Sequence, residues 1–336
     1  EEILTCNGIQ SIRVDSSDPA FMEMARQLDR FIYRWGHYDI EREHALSLIP
    51  ALEWGLKLKC FPNVATCWHY DDKVRQHYLL SARGYPVVET YVFWDHEAAL
   101  DWAHAAAPPV VFKLRGGASS SGVVLVENRK QLIALVEQAF GKGFAPGGLT
   151  SKGGLGKDRL QQLKTKAYVI RSQLLGNPVP FQALLPDWRH HRHYVYFQKY
   201  LPGNQFDTRI TVIGERAFGF RRFNRPGDFR ASGSGNLDHR PEPIDLKCVE
   251  LAHRISAEMG FQSMAYDFLY DQEGGVRFCE ISYTYQDKAV FDCAGYWDRN
   301  LEFHEGHYWP QHSQLIHLLN RPDLVVPPDL LHLPQR

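Results

Sequence analysis

The sequence predicts an α+β fold with about two domains or lobes, and three observations support this prediction. The chain has 336 residues, of which 44% are hydrophobic, and this is enough for sizeable cores. Short apolar segments with the two-residue period of strands are interspersed with segments that have the 3.6-residue period of helices. The sequence contains no apolar run of 18 residues, so a globular chain without a membrane span is expected.

Charge and cysteine content narrow the classes of function. The 38 Lys and Arg residues nearly balance the 39 Asp and Glu residues, so the chain lacks the overall positive charge that drives non-specific nucleic-acid binding. Its six cysteines include no CxxC pair, which favours reduced thiols over a disulfide scaffold. We therefore expect a cytoplasmic protein that binds no nucleic acid. Composition leaves the oligomeric state open.

The N-terminal part of the chain becomes regular only near residue 71. Residues 1–70 combine short helical patterns with loops, and the segment ALSLIPALEWGL predicts an apolar helix that starts or kinks at Pro50. Asp71 is placed to cap a further helix that runs to Arg83 and is followed by Gly84. We therefore treat residues 1–70 as a separate N-terminal region.

Strand and helix patterns then follow in close succession. The segments VVETYVF, VVFKLR and VVLVE predict strands, with the glycine-rich loop GGASSSG between the last two. Asn128 and Gln131 have the spacing of a capping box. This spacing predicts a helix that begins after Asn128 and ends at Gly141.

Residues 142–193 interrupt the pattern. Between residues 146 and 193 the chain has eight Lys and Arg residues but only two Asp, and five glycines lie near the start of this stretch. We predict a mobile basic insertion. Its charge fits an anionic partner, and it fits a solvated flexible loop equally well.

Regular patterns return after the insertion. YVYFQKYL, RITVI and AFGFRRF predict strands, an amphipathic helix ends at Gly260, and AYDFLY and VRFCEI predict two more strands joined by a turn. The predicted organisation has an N-terminal region, a central two-lobed domain and a C-terminal cover. Their expected ranges are 1–70, 71–295 (lobes of about 87–200 and 201–295) and 296–336.

The first candidate for chemistry is a lysine beside the glycine-rich loop. Alternation along VVFKLR places Val110, Phe112 and Leu114 on one face of the strand and Lys113 on the other. A lysine next to a flexible glycine loop suits a bound phosphate. Such loops are also common in ordinary hairpins, and this one is neither a Walker A nor a GxGxxG sequence.

Two acidic residues on neighbouring strands suggest a cation. In VRFCEIS, Cys279 and Ile281 are expected on one face and Glu280 on the other, while Asp267 interrupts the apolar strand AYDFLY. Two carboxylates on adjacent strands repel each other unless a cation lies between them. Mg²⁺ fits, because it accepts one or two carboxylates together with phosphate oxygens. The alternative is that each carboxylate pairs with an arginine of the same sheet.

Further cations are concentrated in the second half of the chain. Asp207 and Arg209 share a face of DTRITVI, and the stretch RRFNRPGDFRASGSGN adds Arg221, Arg222 and Arg230 beside small residues. Clustered cations, two acids suited to a metal and a flexible glycine loop together indicate a nucleoside triphosphate site.

These motifs, in their order, resemble the ATP-grasp superfamily. The resemblance rests on DDK, VVFKLRGGASSSGV, FQKYLPGNQFDTR, RRFNRPGDFR and the pair AYDFLY and VRFCEIS, and it covers roughly residues 60–285. It is strongest to the RimK-type and glutathione-synthetase-like branch. The fold that it implies has two α/β lobes that hold ATP between antiparallel sheets, preceded here by a reduced N-terminal domain.

The resemblance also implies roles for individual residues. The ATP-binding residues would be Lys73, Lys113, Gly116, Gly117, Ser119, Ser120, Ser121, Gly122, Gln198, Lys199, Tyr200, Leu201 and Asp207. Arg221 and Arg230 would be catalytic, Arg209, Arg222 and Asn236 would contact substrate, and Asp267, Glu280 and Ser282 would bind metal. Two positions depart from the family pattern: Ser282 replaces the usual Asn, and Gln198 or Lys199 replaces the usual Glu of the adenine-binding segment.

The activity implied by the resemblance is ATP-dependent ligation of a carboxylate to an amine. Mg²⁺, or Mn²⁺ in its place, would accompany ATP, and an acylphosphate would be the intermediate. The basic insertion favours an anionic peptide or glycan as acceptor. Two alternatives remain open at this point, namely a small-molecule kinase on the same scaffold and a nucleotide-binding protein without turnover.

Overall fold

The computed structural model describes residues 1–117, 122–145 and 189–331. Most of the predicted insertion lies outside these ranges, as do Ser119, Ser120 and Ser121. The helices in the described ranges are α1 Glu2–Cys6, α2 Phe21–Ala25, α3 Asp39–Pro50, α4 Val64–Cys67, α5 Lys73–Ala82, α6 His96–Ala105, α7 Arg129–Phe140, α8 Leu246–Met259, α9 Asp287–Phe291, α10 Pro310–Leu319 and α11 Pro328–Leu331. The strands there are β1 Arg30–Ile32, β2 Lys59–Phe61, β3 Thr90–Phe93, β4 Val110–Lys113, β5 Val123–Val126, β6 Val195–Lys199, β7 Phe206–Ile213, β8 Arg216–Phe223, β9 Leu237–Asp238, β10 Ser263–Tyr270, β11 Val276–Ser282, β12 Gly295–Trp297 and β13 Phe303–Glu305.

The N-terminal region contains a small parallel sheet. β1 pairs with β2 in parallel, and the connection between them contains α3 and a π-helical turn over Ala51–Gly55. Pro50 lies at the junction of these two helical segments, where its missing N–H and its ring disturb regular helical hydrogen bonding. The helix thus begins at Asp39 and not at Pro50, where the hydrogen-bonding pattern changes from α-helical to π-helical; the predicted kink stays a prediction.

A four-stranded antiparallel sheet follows, in the order β3-β6-β4-β5. α6 and α7 pack against each other and against this sheet, and their apolar side chains form one buried cluster with it. Asn128 caps α7 by accepting a hydrogen bond of 3.0 Å from the backbone N–H of Gln131. The predicted cap by Asn128 is therefore confirmed. The return bond differs by one residue, because the Gln131 side chain accepts from the N–H of Glu127 rather than from that of Asn128.

The second sheet has seven strands, with the path β11-β10-β7-β8-β12-β13 and with β9 paired to β8. α8 packs on this sheet through the buried face that the sequence predicts. It ends at Gly260, whose φ of 66° is in the left-handed region that favours glycine. β12 and β13, which begin in or near the predicted C-terminal cover, extend this sheet.

The predicted cap of α5 is wrong by one residue. The side chain of Asp72, rather than Asp71, accepts the hydrogen bond of 3.0 Å from the N–H of Arg75. Asp71 lies just outside the helix with a φ of 51°, and its side chain accepts a hydrogen bond from the N–H of Gly117. Among the described residues, no helix is long and apolar enough to cross a membrane.

Candidate active site

A cavity of about 830 Å³ lies between the two antiparallel sheets. Its walls include Lys113 and Val123 of the four-stranded sheet and Asp207, Asp267 and Glu280 of the seven-stranded sheet. The segment that connects the sheets after β6 also lines it, through Lys199, Tyr200 and Leu201. Residues that are far apart in the sequence therefore line one common cavity.

Two buried lysines lie on one side of the cavity. The Lys73 ammonium donates to the carbonyl oxygen of Gly117 at 3.3 Å and lies 3.3 Å from a carboxylate oxygen of Glu280. Burial lowers the pKa of Lys73, but the carboxylates of Glu280 and Asp71 outweigh burial and raise it overall. Lys113 contacts the thiol of Cys279, with 3.4 Å between Nζ and Sγ. Both lysines are thus placed where an anion in the cavity would meet them.

The backbone at the glycine-rich loop is held from both ends. The N–H of Lys73 donates to the carbonyl of Arg115 at 2.8 Å, and the N–H of Leu114 donates to the carbonyl of Gly122 at 2.8 Å. Gly117 lines the cavity, whereas Gly116 packs against Asp71. The predicted serines of this loop lie outside the described residues.

A network of buried ion pairs crosses three neighbouring strands of the larger sheet. Arg222 on β8 donates to both oxygens of Asp207 on β7, at 2.7 Å each, and to Asp267 on β10 at 2.6 Å. Arg209 donates to both oxygens of Asp267, at 2.6 and 2.7 Å. Arginine pairing, the alternative considered for Asp267 in the sequence, is therefore present. The predicted metal role of Asp267 stays a prediction.

This network shifts the pKa values of its two acids in opposite directions. Burial would raise the pKa of Asp267, but the guanidinium groups of Arg209 and Arg222 outweigh burial and lower the pKa to about 2. Burial raises the pKa of Asp207. The negative charge of Asp267, which binds the same Arg222, raises it further. We infer that Asp267 is ionised at neutral pH because it contacts two guanidinium groups, whereas Asp207 contacts one.

The faces of β11 differ from the simple alternation that the sequence suggests. Asp267 lies opposite Glu280, but the next residue, Phe268, lies opposite Phe278. Cys279 is therefore an extra residue in a β-bulge. Its side chain lines the cavity beside Lys113, on the wall that also includes Glu280, so the predicted separation of Cys279 and Glu280 onto opposite faces is wrong.

Glu280 and Ser282 both line the cavity, as the sequence predicts. The Ser282 hydroxyl donates to the carbonyl of Thr284 at 2.8 Å, which leaves its oxygen lone pairs available to a further donor or a cation. Glu280 is partly exposed, and its ion pair with Lys73 is the contact that the structure gives it.

Two predicted residues do not reach the cavity. Arg221 and Arg222 are consecutive on β8 and so lie on opposite faces. Arg221 donates to Asp238 at 2.5 Å and lies over the rings of Phe206 and Phe223; it is absent from the cavity wall. Asn236 lies beside a separate, shallower hollow. Neither Arg221 nor Asn236 is therefore placed to contact a ligand in this cavity, contrary to their predicted roles.

Arg230 does line the cavity. It forms a bidentate ion pair with Asp228 and donates to the carbonyl of Val123 at 3.4 Å. Because Val123 begins β5, this contact links the loop after β8 to the smaller sheet.

The segment predicted to receive adenine lies at the end of β6. Lys199, Tyr200 and Leu201 line the cavity, and the Lys199 N–H donates to the carbonyl of Glu89 at 2.8 Å. Gln198 is buried, and its amide nitrogen lies 3.3 Å from Thr90 Oγ1 and 3.4 Å from Tyr196 OH.

Sequence reasoning missed a further group of cavity residues. The far end of the cavity is lined by residues of the N-terminal region and of the segment after β11. They include Arg34, Trp35, His37, Glu41, Tyr70, Thr284 and Tyr285. Their hydrogen bonds connect the two segments, because Thr284 donates to the Tyr70 hydroxyl at 2.9 Å and that hydroxyl lies 2.9 Å from His37 Nδ1. No local motif marks these residues in the sequence.

Comparison with known proteins identifies the fold. No family model matches the chain, and no curated protein sequence matches it significantly. Similar solved structures include a β-γ-ATP complex of biotin carboxylase from Campylobacter jejuni, with a TM-score of 0.53 and 15% identity. They also include D-alanyl-alanine synthetase A from Vibrio cholerae, with a TM-score of 0.53 and 13% identity, and the D-cycloserine synthetase DcsG, with 0.50 and 15%.

These similarities extend over most of this chain. They cover 89%, 87% and 86% of it, and 57%, 76% and 86% of the three other chains in the same order. The chain thus spans little more than half the length of the biotin carboxylase. All three are ATP-grasp proteins, and this chain has the ATP-grasp fold. The predicted α+β class and ATP-grasp fold are confirmed, while membership of the superfamily and of its RimK-type branch stays a prediction.

Proposed function

We propose that the protein is an ATP-dependent ligase that joins a carboxylate to an amine through an acylphosphate. The observation that carries the proposal is the composition of the cavity between the sheets, where cationic side chains surround two carboxylates on adjacent strands. The cations are Lys73, Lys113, Arg209, Arg222 and Arg230, and the carboxylates are Asp267 and Glu280. Two similar structures are named as synthetases, and a third holds β-γ-ATP, which supports the same class.

The proposed nucleotide position follows from the cavity walls. The adenine ring lies against the Lys199–Leu201 segment, and the phosphates lie near Lys73, Lys113 and the glycine-rich loop. The ribose lies near Asp207, whose oxygens keep acceptor capacity beyond their bonds to Arg222. Lysine ammonium groups and loop N–H groups are suited to phosphate oxygens.

The two carboxylates also fit a divalent metal ion. Asp267 and Glu280 lie directly opposite each other on antiparallel strands, the position where two oxygen ligands can share one cation. The low pKa of Asp267 keeps it ionised, and Ser282 offers a neutral oxygen beside Glu280. Mg²⁺ bound there would offset the negative charge of the triphosphate. Mn²⁺ suits the same donor atoms.

The proposed chemistry has two steps. An oxygen of the substrate carboxylate attacks the γ-phosphorus, and ADP leaves. The amine nitrogen then attacks the acyl carbon, phosphate leaves, and the nitrogen loses a proton to give the amide. Arg222 and Arg230 stabilise the negative charge that develops on the acyl oxygen. The position of the acylphosphate between the two sheets shields it from part of the bulk water, which limits its hydrolysis.

The experiment is an ATP turnover assay with pools of carboxylates and pools of amines. ADP and phosphate are measured for the wild type, Lys113→Ala and Glu280→Ala. A ligase should form ADP and phosphate only when an acid and an amine are present together. Turnover should be at least about a hundredfold lower in the two variants. A phosphorylated hydroxyl compound without free phosphate would replace ligation with kinase activity. ATP binding without turnover in any pool would favour a nucleotide-binding protein.

The acceptor stays a separate prediction. An anionic peptide or glycan was inferred from the basic insertion, most of which lies outside the described residues. Pools for the assay therefore include acidic peptides and uronic acids beside simple amino acids.

A further inference from the structure

The carboxylate of Asp71 lies on the first part of the glycine-rich loop. Its Oδ1 accepts a hydrogen bond of 2.7 Å from the N–H of Gly117. Its Oδ2 approaches Gly116 so closely that a β-carbon at that position would lie 2.9 Å away. The Asp71 carboxylate thus already accepts the hydrogen bond of a loop N–H group.

The surroundings of Asp71 are those of an anion site. Arg42 Nη1 lies 3.3 Å from its Oδ2, and Asp71 contributes to the raised pKa of Lys73. The residue is buried and lines the cavity. One carboxylate therefore contacts a guanidinium and a loop N–H and lies near the Lys73 ammonium, which is the combination of groups that a phosphate oxygen would use.

The backbone of Asp71 is adapted to this contact. Its φ of 51° is in the left-handed region, which Asp adopts more readily than most residues but at some cost. Asp72, the neighbouring residue, caps α5 and pairs with Arg115 at 2.6 Å. Asp71 makes no cap contact of this kind, so helix capping does not account for its position.

We propose that Asp71 is an internal competitor of the nucleotide phosphates for the Gly117 N–H and thereby sets the affinity for ATP. This inference rests on the proposed nucleotide site. ATP binding requires the carboxylate to leave the loop, and the energy of that contact is subtracted from the binding energy. Asp71 is accordingly an affinity-determining residue and takes no part in the chemical steps.

The test uses two substitutions that remove the carboxylate in different ways. Asp71→Asn retains the size of the side chain. Asp71→Gly removes the side chain and suits the left-handed backbone, so it keeps the fold if the asparagine variant does not. Glu250→Gln is the matched control, because Glu250 is exposed on α8 and does not line the cavity.

Binding of MgATP and of adenosine is measured by titration calorimetry for all four proteins. Losing a competing charged hydrogen bond should tighten MgATP binding about tenfold in both Asp71 variants. Adenosine carries no phosphate, so its affinity should be unchanged. Glu250→Gln should alter MgATP affinity by less than about threefold, because it removes only an exposed charge outside the cavity.

Two results would overturn the inference while leaving the nucleotide site intact. One is that the wild type binds MgATP and the Asp71 variants bind it no more tightly. The other is equal tightening by Glu250→Gln, which would mean that net charge alone matters. MgATP binding by the Asp71 variants but not by the wild type would support the inference strongly. Absence of binding in all four proteins would instead refute the proposed nucleotide site and this inference together.

Discussion

Arg222 lies between two buried carboxylates and binds both, but its contact with Asp267 is the one that joins β8 to β10. The guanidinium donates to Asp267 at 2.6 Å across β7, the strand that separates them. Residues on three strands are thus fixed relative to one another at the wall of the cavity. The ion pairs of Arg222 therefore stabilise the sheet and also fix the side chains that line the cavity.

Replacing Arg222 with Met should lower the free energy of unfolding by about 3–5 kcal/mol, because Asp207 would lose its guanidinium partner and would remain buried beside Asp267. Urea denaturation at pH 7 measures the change. Arg240→Met is the control, since Arg240 pairs with Asp238 at the surface and should change stability little. Equal stability of Arg222→Met and the wild type would contradict the described network.

The buried His69 should make the folded protein less stable in acid. It is fully buried, and burial lowers its pKa from 6.5 to about 3. The unfolded chain therefore binds this proton more readily, so stability is complete above pH 6.5 and falls as the pH decreases toward 3. The slope is at most about 1.4 kcal/mol per pH unit for one group.

The measurement is the urea midpoint between pH 7 and pH 4.5. His69→Phe should show a shallower pH dependence than the wild type, and His104→Gln, which changes an exposed histidine of α6, should retain the wild-type slope. An unchanged slope in His69→Phe would assign the acid sensitivity to other groups.

Gly122 should tolerate substitution less well than Gly227. Both have positive φ values, 75° and 73°, so alanine is strained at either position. Only at Gly122 would the added β-carbon also approach Leu114, at 3.0 Å, while none of the described atoms lies within 4 Å of one at Gly227. Thermal unfolding should therefore show a larger loss for Gly122→Ala. Equal losses would mean that Leu114 moves aside freely.

Much of the fold was accessible from the sequence because its signals are local. The caps at Asn128 and Gly260 and the alternation in β4 and β7 each depend on a few neighbouring residues. Asp267 and Glu280 lie opposite each other, as expected from two strands joined by a short turn.

The parts that were missed depend on information that is not local. The bulge at Cys279 adds one residue to β11, so Cys279 lines the cavity together with Glu280, and nothing in VRFCEIS reveals it. Arg221 and Arg222 are consecutive on β8 and both were given roles in the site, but alternation brings only Arg222 to the cavity, and the sequence does not show which of the two faces it. Glu41 and Tyr70 enter the cavity from a distant part of the chain, so no spacing rule connects them to Glu280.

The most direct test of the account is the binding of MgATP to the cavity between the sheets. Titration calorimetry should compare the wild type with Lys113→Met, which removes a buried ammonium from the cavity wall, and with Lys130→Met, which removes an exposed one from α7. We expect Lys113→Met to weaken binding at least about tenfold and Lys130→Met to leave it unchanged. Equal affinity in all three proteins, or no binding by the wild type, would contradict the placement of the nucleotide in this cavity.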